Sequence, residues 1–374
     1  MYRDEIKFNK FKRRRGATMG ILKSRLFKII AIIVSIPVVL FGVYLLIMII
    51  TDYKPDKAIK LEIDNNQKSV IKKDESISII TFNIGYGGMD KDQDFFMDGG
   101  LGSRSKSKEK TLENITKISA FLKSKNTDFI MLQEVDRKST RSFKVNEVEF
   151  MKDALKDYAS SFALNYKVFW VPIPISKPHG SVQAGLLTMS KYGVESSTRY
   201  SLPGTEAFLR QLGDLDRCVQ ENRIPVEDGK ELVLVNAHLS AYDKGGVIRK
   251  QQLQFLKEFV QKEFEKGNYV VVGGDWNHSM PGTDPSIFKT KQAFPDWLKT
   301  IPEDFAPKRY KWVIDKTVPS NRTVDIPFKK DVNFLSVIDG FLVSPNVDVI
   351  STKGINLEFE NTDHNPVLTE LKLK

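Results

Sequence analysis

Residues 269–279 read YVVVGGDWNHS. Tyr269 to Val272 is a short run of β-branched and aromatic residues, the composition that fits a pleated strand, and it runs through a glycine pair onto Asp275, Asn277 and His278. In α/β folds, ligands are held at the carboxyl ends of strands, and this is where the polar residues stand. The same arrangement recurs along the chain. TFNIGYG (81–87) delivers Asn83, MLQEVD (131–136) delivers Glu134, and LVNAHLS (234–240) delivers Asn236 and His238. VIDGF (337–341) holds Asp339, and NTDHNPV (361–367) holds Asp363 and His364. One such strand end decides little; six along one chain imply a shared site.

Outward from these ends, further strand-like runs fall at Ile77 to Ile84, Phe129 to Leu132, Val168 to Val171, Leu186 to Met189, Leu232 to Ala237, Val337 to Val343 and Pro366 to Leu371. Leu112 to Leu122 and Val247 to Phe264 carry apolar residues at helical spacing, and Gly267 stops the second helix. Strand and helix signals alternate from residue 77 to residue 374 without an internal repeat. That predicts one large α/β domain.

Composition narrows the chemistry. A single cysteine, Cys218, excludes a disulfide framework and a thiolate metal cluster. With four histidines (His179, His238, His278 and His364), any metal must sit mainly on carboxylates and amides, the ligand set of hard cations such as Mg or Mn. The net charge of +10 is concentrated in the first 28 residues, where ten Lys and Arg face only Asp4 and Glu5. The body is close to neutral, which argues against a general grip on nucleic acid spread over its surface.

From Ile29 to Ile50 the chain reads IIAIIVSIPVVLFGVYLLIMII, without a charge and long enough to span a bilayer; Pro37 is tolerable in such a helix. A cleaved signal peptide has a shorter apolar region ending in small residues, so the expectation is an uncleaved anchor. The basic arm, residues 1–28, places the N-terminus in the cytoplasm and the body outside it. Residues 51–76 mix charge with few aromatics and read as a juxtamembrane linker.

The ordered set of N, QE, N-x-H, GD-x-N, ID and DH-x-P resembles the endonuclease/exonuclease/phosphatase superfamily, over roughly residues 77–374. The resemblance implies a four-layer α/β sandwich, two packed mixed β-sheets flanked by helices, with a divalent-metal site at one end. It implies a Mg- or Mn-dependent hydrolase of phosphoric esters. By the same correspondence Glu134 binds the metal with Asn83 as its amide partner, and Asp363 belongs to the metal set. Asp275 orients or deprotonates the attacking water, and Asn277 donates a hydrogen bond to a phosphate oxygen. His364 contacts the scissile phosphate or acts as a base, while Asp339 either orients that ring or reaches the metal. His238 resembles the phosphate-contacting histidine of the DNase and sphingomyelinase branches, and Asn236 supports the site.

Other residues carry weaker signals. Arg217 and Arg210 can contact a second phosphate or form surface ion pairs. His179 and His278 read as loop residues near the site, and Ser190 and Lys191 as structural. Substrate choice is expected from two inserted loops, Met89 to Lys110 and Ile301 to Asp331, with lipid head groups, phosphorylated sugars and nucleic acid all open. The leading expectation is a membrane-anchored phosphodiesterase or phosphatase acting outside the cytoplasm; an extracellular nuclease, a non-catalytic binding module and a membrane scaffold are the alternatives. Asn277-His278-Ser279 forms a glycosylation acceptor inside the presumed site, which fits a bacterial source better than one that glycosylates such sequences.

Overall fold

A computed structural model describes residues 2–374, with side chains described for all of these except 2–22, 24 and 244; most of the basic arm's side chains therefore lie outside the described residues. The chain divides into two compact units, residues 1–51 and 52–374. The first is one helix, α1 (Tyr2–Thr51), with Pro37 inside it. Its stretch Arg25–Thr51 is long and apolar enough to cross a membrane, since 27 residues rise about 40 Å.

The second unit contains two mixed sheets. One has the order β1 (Ala58–Lys60), β6 (Ser196–Ser201), β7 (Cys218–Pro225), β8 (Glu231–His238), β9 (Tyr269–Asp275), β11 (Asp339–Val343) and β10 (Lys311–Val313). The other has the order β12 (Val347–Gly354), β13 (Val367–Leu373), β2 (Ser76–Asn83), β3 (Phe129–Asp136), β5 (Gly180–Ser190) and β4 (Ala159–Val171). Within each sheet the central pair is parallel, β8 with β9 and β2 with β3, so four carboxyl ends emerge on the same side.

The period of two along each strand sorts side chains into layers. Ile77, Ile79, Phe129 and Met131 of one sheet meet Leu232, Leu234, Val271 and Phe341 of the other in a central core. The alternate residues face outward. Ile80, Phe82, Ile130 and Leu132 pack against Ile115, Ile118 and Leu122 of α2 (Lys108–Lys125) and Val148 and Met151 of α3 (Glu147–Ala154). Val233, Val235, Val270 and Val272 pack against Leu253, Leu256 and Val260 of α4 (Val247–Glu265). Helix, sheet, sheet, helix is the four-layer sandwich that the family resemblance implies.

Residues 51–76 differ from the expected linker. Ala58 to Lys60 pair with β6 at a sheet edge, Asp64 bridges to Ser160, and Ile71 is fully buried in the central core. Backbone pairing and one isoleucine anchor a segment whose charged composition reads as unstructured. Strands β6 and β7 and helix α3 were also not expected from the sequence. Their buried polar residues, among them Arg199, Gln220, Glu221 and Glu147, mask the apolar alternation.

Candidate active site

The inner rows of the strands change character toward one end of the sandwich. Ile77 and Ile79 lead to Asn83, Met131 leads to Gln133, Leu234 leads to Asn236 and His238, and Val271 leads to Asp275. The same alternation that builds the central core therefore aims a polar cluster into the space between the sheets at their carboxyl ends. Register completes the cluster. His238 pairs with Asp275 across β8 and β9, and Asp275 pairs with Asp339 across β9 and β11.

The two glycines before Asp275 permit this approach. A Cβ on Gly273 would lie 2.3 Å from Phe341 Cδ1, and one on Gly274, whose φ is +143°, would lie 1.9 Å from the Ala237 carbonyl oxygen. Glu134 sits at a bulge in the pairing of β3 with β5 and has a φ of +55°. The extra residue resets the alternation, so that Val135 returns to the outer core and Glu134 is released from it. A glutamate in left-handed backbone is uncommon, and such positions concentrate at functional sites.

Asp275 is the hub. Its Oδ2 accepts from Asn83 Nδ2 at 3.0 Å and lies 3.5 Å from His238 Nε2 and 3.8 Å from His364 Nε2, while its Oδ1 accepts from the Asn277 N–H at 2.9 Å. His364 Nδ1 lies 2.9 Å from Asp339 Oδ2, and its Nε2 is 3.1 Å from Asn321 Nδ2. The Asp339 N–H donates to Ser320 Oγ at 3.0 Å, which fixes the carboxylate that holds the ring. Asp339 thus contacts the His364 ring at its Nδ1. Asn277 Nδ2 donates to the Leu239 carbonyl, leaving its other N–H available. Asn236 is buried between Gln133 and the carbonyl of Leu132.

Burial and charge set these groups apart electrically. Burial, then repulsion by Asp339, raises the Asp275 carboxyl above the ordinary carboxylate range, with His364 and two hydrogen bonds pulling the other way. Burial opposes a charge on His364, but Asp339 against its Nδ1, with Asp275 and Asp363 close by, raises it to about 10. His238 is held well below the ordinary imidazole range by burial and by the positive charges of Arg217 and His364. Two histidines facing one carboxylate are therefore shifted in opposite directions, His364 up and His238 down.

The donor set suits a hard divalent cation. Asp275, Asp339 and His364, a set other than the expected Glu134, Asn83 and Asp363, bring one possible ligand atom each to within 4.8 Å of one another, and among the described residues Asp339 Oδ1 and His238 Nδ1 are buried without a hydrogen-bond partner. Half-buried Glu134 is raised by desolvation, lowered by Arg141 and raised again by Asp363, which places Asp363 in the same electrostatic environment. Among the described residues its charged contact is loose, 3.4 Å from Arg141 Nη1. Arg217 reaches the His238 carbonyl at 3.5 Å, within the field of the site.

The remaining histidines serve the scaffold. His179 Nδ1 lies 2.7 Å from the Ser103 carbonyl beside Phe95 and Phe96, and His278 Nδ1 lies 2.6 Å from the Trp276 carbonyl. Arg210 pairs with Glu206 and Asp214 on the surface, and Ser190 and Lys191 lie at the opposite end of β5. Three participants carried no sequence signal. Asn321 touches His364 from a two-residue strand, Arg141 bridges Glu134 and Asp136, and Tyr242 donates to Asp98 at 2.8 Å.

The fold is shared with known structures. None of the curated proteins matches the chain by sequence. Among solved structures, the endonuclease/exonuclease/phosphatase of Beutenbergia cavernae DSM 12333 is 16% identical with a TM-score of 0.54, covering 80% of this chain and 72% of that one. ANGEL2, described as a 2',3'-cyclic phosphatase and solved with adenosine-2',3'-vanadate, is 14% identical with a TM-score of 0.51, covering 84% of this chain and 99% of that one. The Bacteroides vulgatus endonuclease/exonuclease/phosphatase is 19% identical with a TM-score of 0.49, over 80% and 100% of the two chains. The family model for the Endonuclease/Exonuclease/phosphatase family matches residues 80–351, a span that contains every strand end of the cluster except the last; with its fold and polar cluster in agreement, the chain belongs to that family.

Proposed function

We propose that this chain is a membrane-anchored, divalent-metal-dependent phosphoester hydrolase whose catalytic unit works outside the cytoplasm. The observation that carries the chemistry is the Asp275 carboxylate, buried and faced by His238 at 3.5 Å and His364 at 3.8 Å. Hydrolysis of a phosphate ester needs a group to take a proton from water, donors for the charge that develops on phosphate, and a cationic counterweight. Burial holds the Asp275 carboxyl above the ordinary carboxylate range, which favours its accepting that proton. His364, fixed and raised by Asp339, donates to a phosphate oxygen once protonated, and the free N–H of Asn277 adds a second donor. His238 can donate or accept on the same face. Arg217 offers a fork for another phosphate oxygen.

A Mg or Mn ion, when bound, supplies Lewis-acid stabilisation of phosphate oxygens, and Glu134, Asn83 and Asp363 would hold it. The near-neutral charge of the body weighs against the nuclease alternative. The anchored, extracytoplasmic placement is supported by the apolar stretch Arg25–Thr51 and by the ten basic residues at positions 1–28.

The direct test assays the full chain in detergent on bis-p-nitrophenyl phosphate and on inositol phosphates, phosphorylated sugars, DNA and RNA. Turnover should disappear in EDTA and return with Mg or Mn, and Glu134→Gln should raise the metal concentration needed for half-maximal rate. Full activity in chelator would disprove the metal-dependent reading.

A further inference from the structure

Strand directions decide which connections lie at the active-site end. Four of them are residues 84–107, 172–179, 202–217 and 239–246, which leave or enter β2, β4, β5, β6, β7 and β8 beside Asn83, Gly180, Cys218 and His238. Three of the four expose large apolar side chains. Met97 and Leu101 lie on the first, Ile173 and Ile175 on the second, and Phe208 and Leu209 on the third; Leu101 is 86% exposed and Ile175 89%. The connections at the opposite end expose only Val70 among the described residues. So one-sided a distribution marks an interaction surface.

The rim is held in place. Ser103 Oγ donates to the Lys177 carbonyl and Arg104 Nε to the Pro178 carbonyl, tying the first loop to the second. Tyr242 donates to Asp98, and Arg210 donates to the Tyr242 carbonyl, tying the first and third loops through the fourth.

Chain connectivity identifies what covers the rim. The Ser201 N–H donates to the Lys57 carbonyl and Ser201 Oγ to the Asp56 carbonyl, and Ser201 pairs with Cys218 at the active-site end of β6. The chain therefore enters the catalytic unit at the end that carries the site and on the flank of the 202–217 loop. Ala58 is seven residues beyond Thr51, the last residue of the apolar helix, and seven residues reach at most about 25 Å.

We infer that the apolar rim rests on the bilayer that holds the anchor and presents the active site to it, so that the substrate is a phosphoester in the head group of a membrane phospholipid. This inference rests on the membrane-anchored hydrolase reading above. A face tethered this closely to a bilayer meets head groups at high effective concentration, and exposed apolar side chains flanking a polar site lower the cost of resting there.

Cys218 is buried, so a cysteine introduced on the surface can be labelled selectively. The full chain is reconstituted in phosphatidylethanolamine and phosphatidylglycerol vesicles with an environment-sensitive dye on Ile175→Cys or, at the opposite end, on Val70→Cys. The dye at 175 should shift to the blue and be quenched by brominated lipid, and the dye at 70 should stay in water. Equal spectra at the two positions would overturn docking. The triple variant Leu101→Ser, Ile175→Ser, Leu209→Ser should lose at least about tenfold in turnover of vesicle phospholipid while cleaving soluble bis-p-nitrophenyl phosphate at the normal rate. Equal turnover of vesicle lipid by this variant overturns the inference. Wild-type cleavage of the soluble ester without cleavage of any phospholipid refutes the lipid substrate and leaves the hydrolase reading standing. Failure on both with Mg or Mn refutes the hydrolase reading, and the dye at 175 still decides docking.

Discussion

Gly274→Ala tests whether the site depends on close approach of two strands. The new Cβ would lie 1.9 Å from the Ala237 carbonyl oxygen, against the 3.0 Å below which real Cβ atoms essentially never come, so the strands must separate by about 1 Å. Overpacking of this kind costs about 1–3 kcal/mol, and a non-glycine residue held at a φ of +143° adds about 1–3 kcal/mol. Together these make about 2–6 kcal/mol, a large share of the stability of an ordinary domain. The displaced pair carries Asp275 and His238, which are partners in the next register position. A shift of about 1 Å there should lower turnover about a hundredfold even where the protein stays folded. Guanidinium unfolding followed by tryptophan fluorescence gives the first number, and hydrolysis of bis-p-nitrophenyl phosphate gives the second. Gly229→Ala is the control, with a φ of +77° but open space around its Cβ; it should lose only the backbone part and keep full turnover. A Gly274→Ala protein with the wild-type midpoint and rate would show that the approach of β8 and β9 does not shape the site.

Asp275→Asn and His364→Ala should each lower turnover by at least about a hundredfold with folding intact, and the double variant should lose far less than the product of the two, as measured by single-turnover kinetics. Ile71→Ala should cost about 2–5 kcal/mol in denaturant unfolding, because the side chain is fully buried in the central core; a cost near zero would restore the linker reading of residues 51–76. His179 is pushed down to about 3, by burial first and then by Arg141, whereas an unfolded imidazole titrates near 6.5. The unfolded chain therefore binds the extra proton as pH falls below about 6.5. Stability is present above that pH and is lost toward about 3, at up to about 1.4 kcal/mol per pH unit. His179→Gln should have the shallower decline between pH 7 and 5, and parallel curves would refute a neutral buried ring. Protease added to intact cells should remove the unit that begins at Asp52 and spare residues 1–28; protection of the unit would reverse the proposed orientation.

What the sequence determined by itself is local and periodic. Asn83, Asn236, His238 and Asp275 are legible because each stands at the carboxyl end of a strand run, and the period of two then sends them to one face, whereas Asp339 opens β11 and meets Asp275 through antiparallel register. The apolar stretch in α1 is legible for the same reason, since its character needs no partner. Tertiary structure decided whatever depends on pairing across long separations. Ala58 to Lys60 become a strand only because β6 offers an edge, and Arg199 and Glu221 can be buried only where partners meet their charges. The left-handed backbone of Glu134 arises from a bulge against β5 that no local pattern announces. Asn321 reaches His364 across 43 positions, and Asp339 reaches it across 25, so the choice of Asp339 as the ring's partner required the folded chain. The apolar rim is the clearest case. Met97, Ile175 and Leu209 are unremarkable residues in three separate loops, and only the directions of the strands bring them to the end where the chain arrives from its apolar helix.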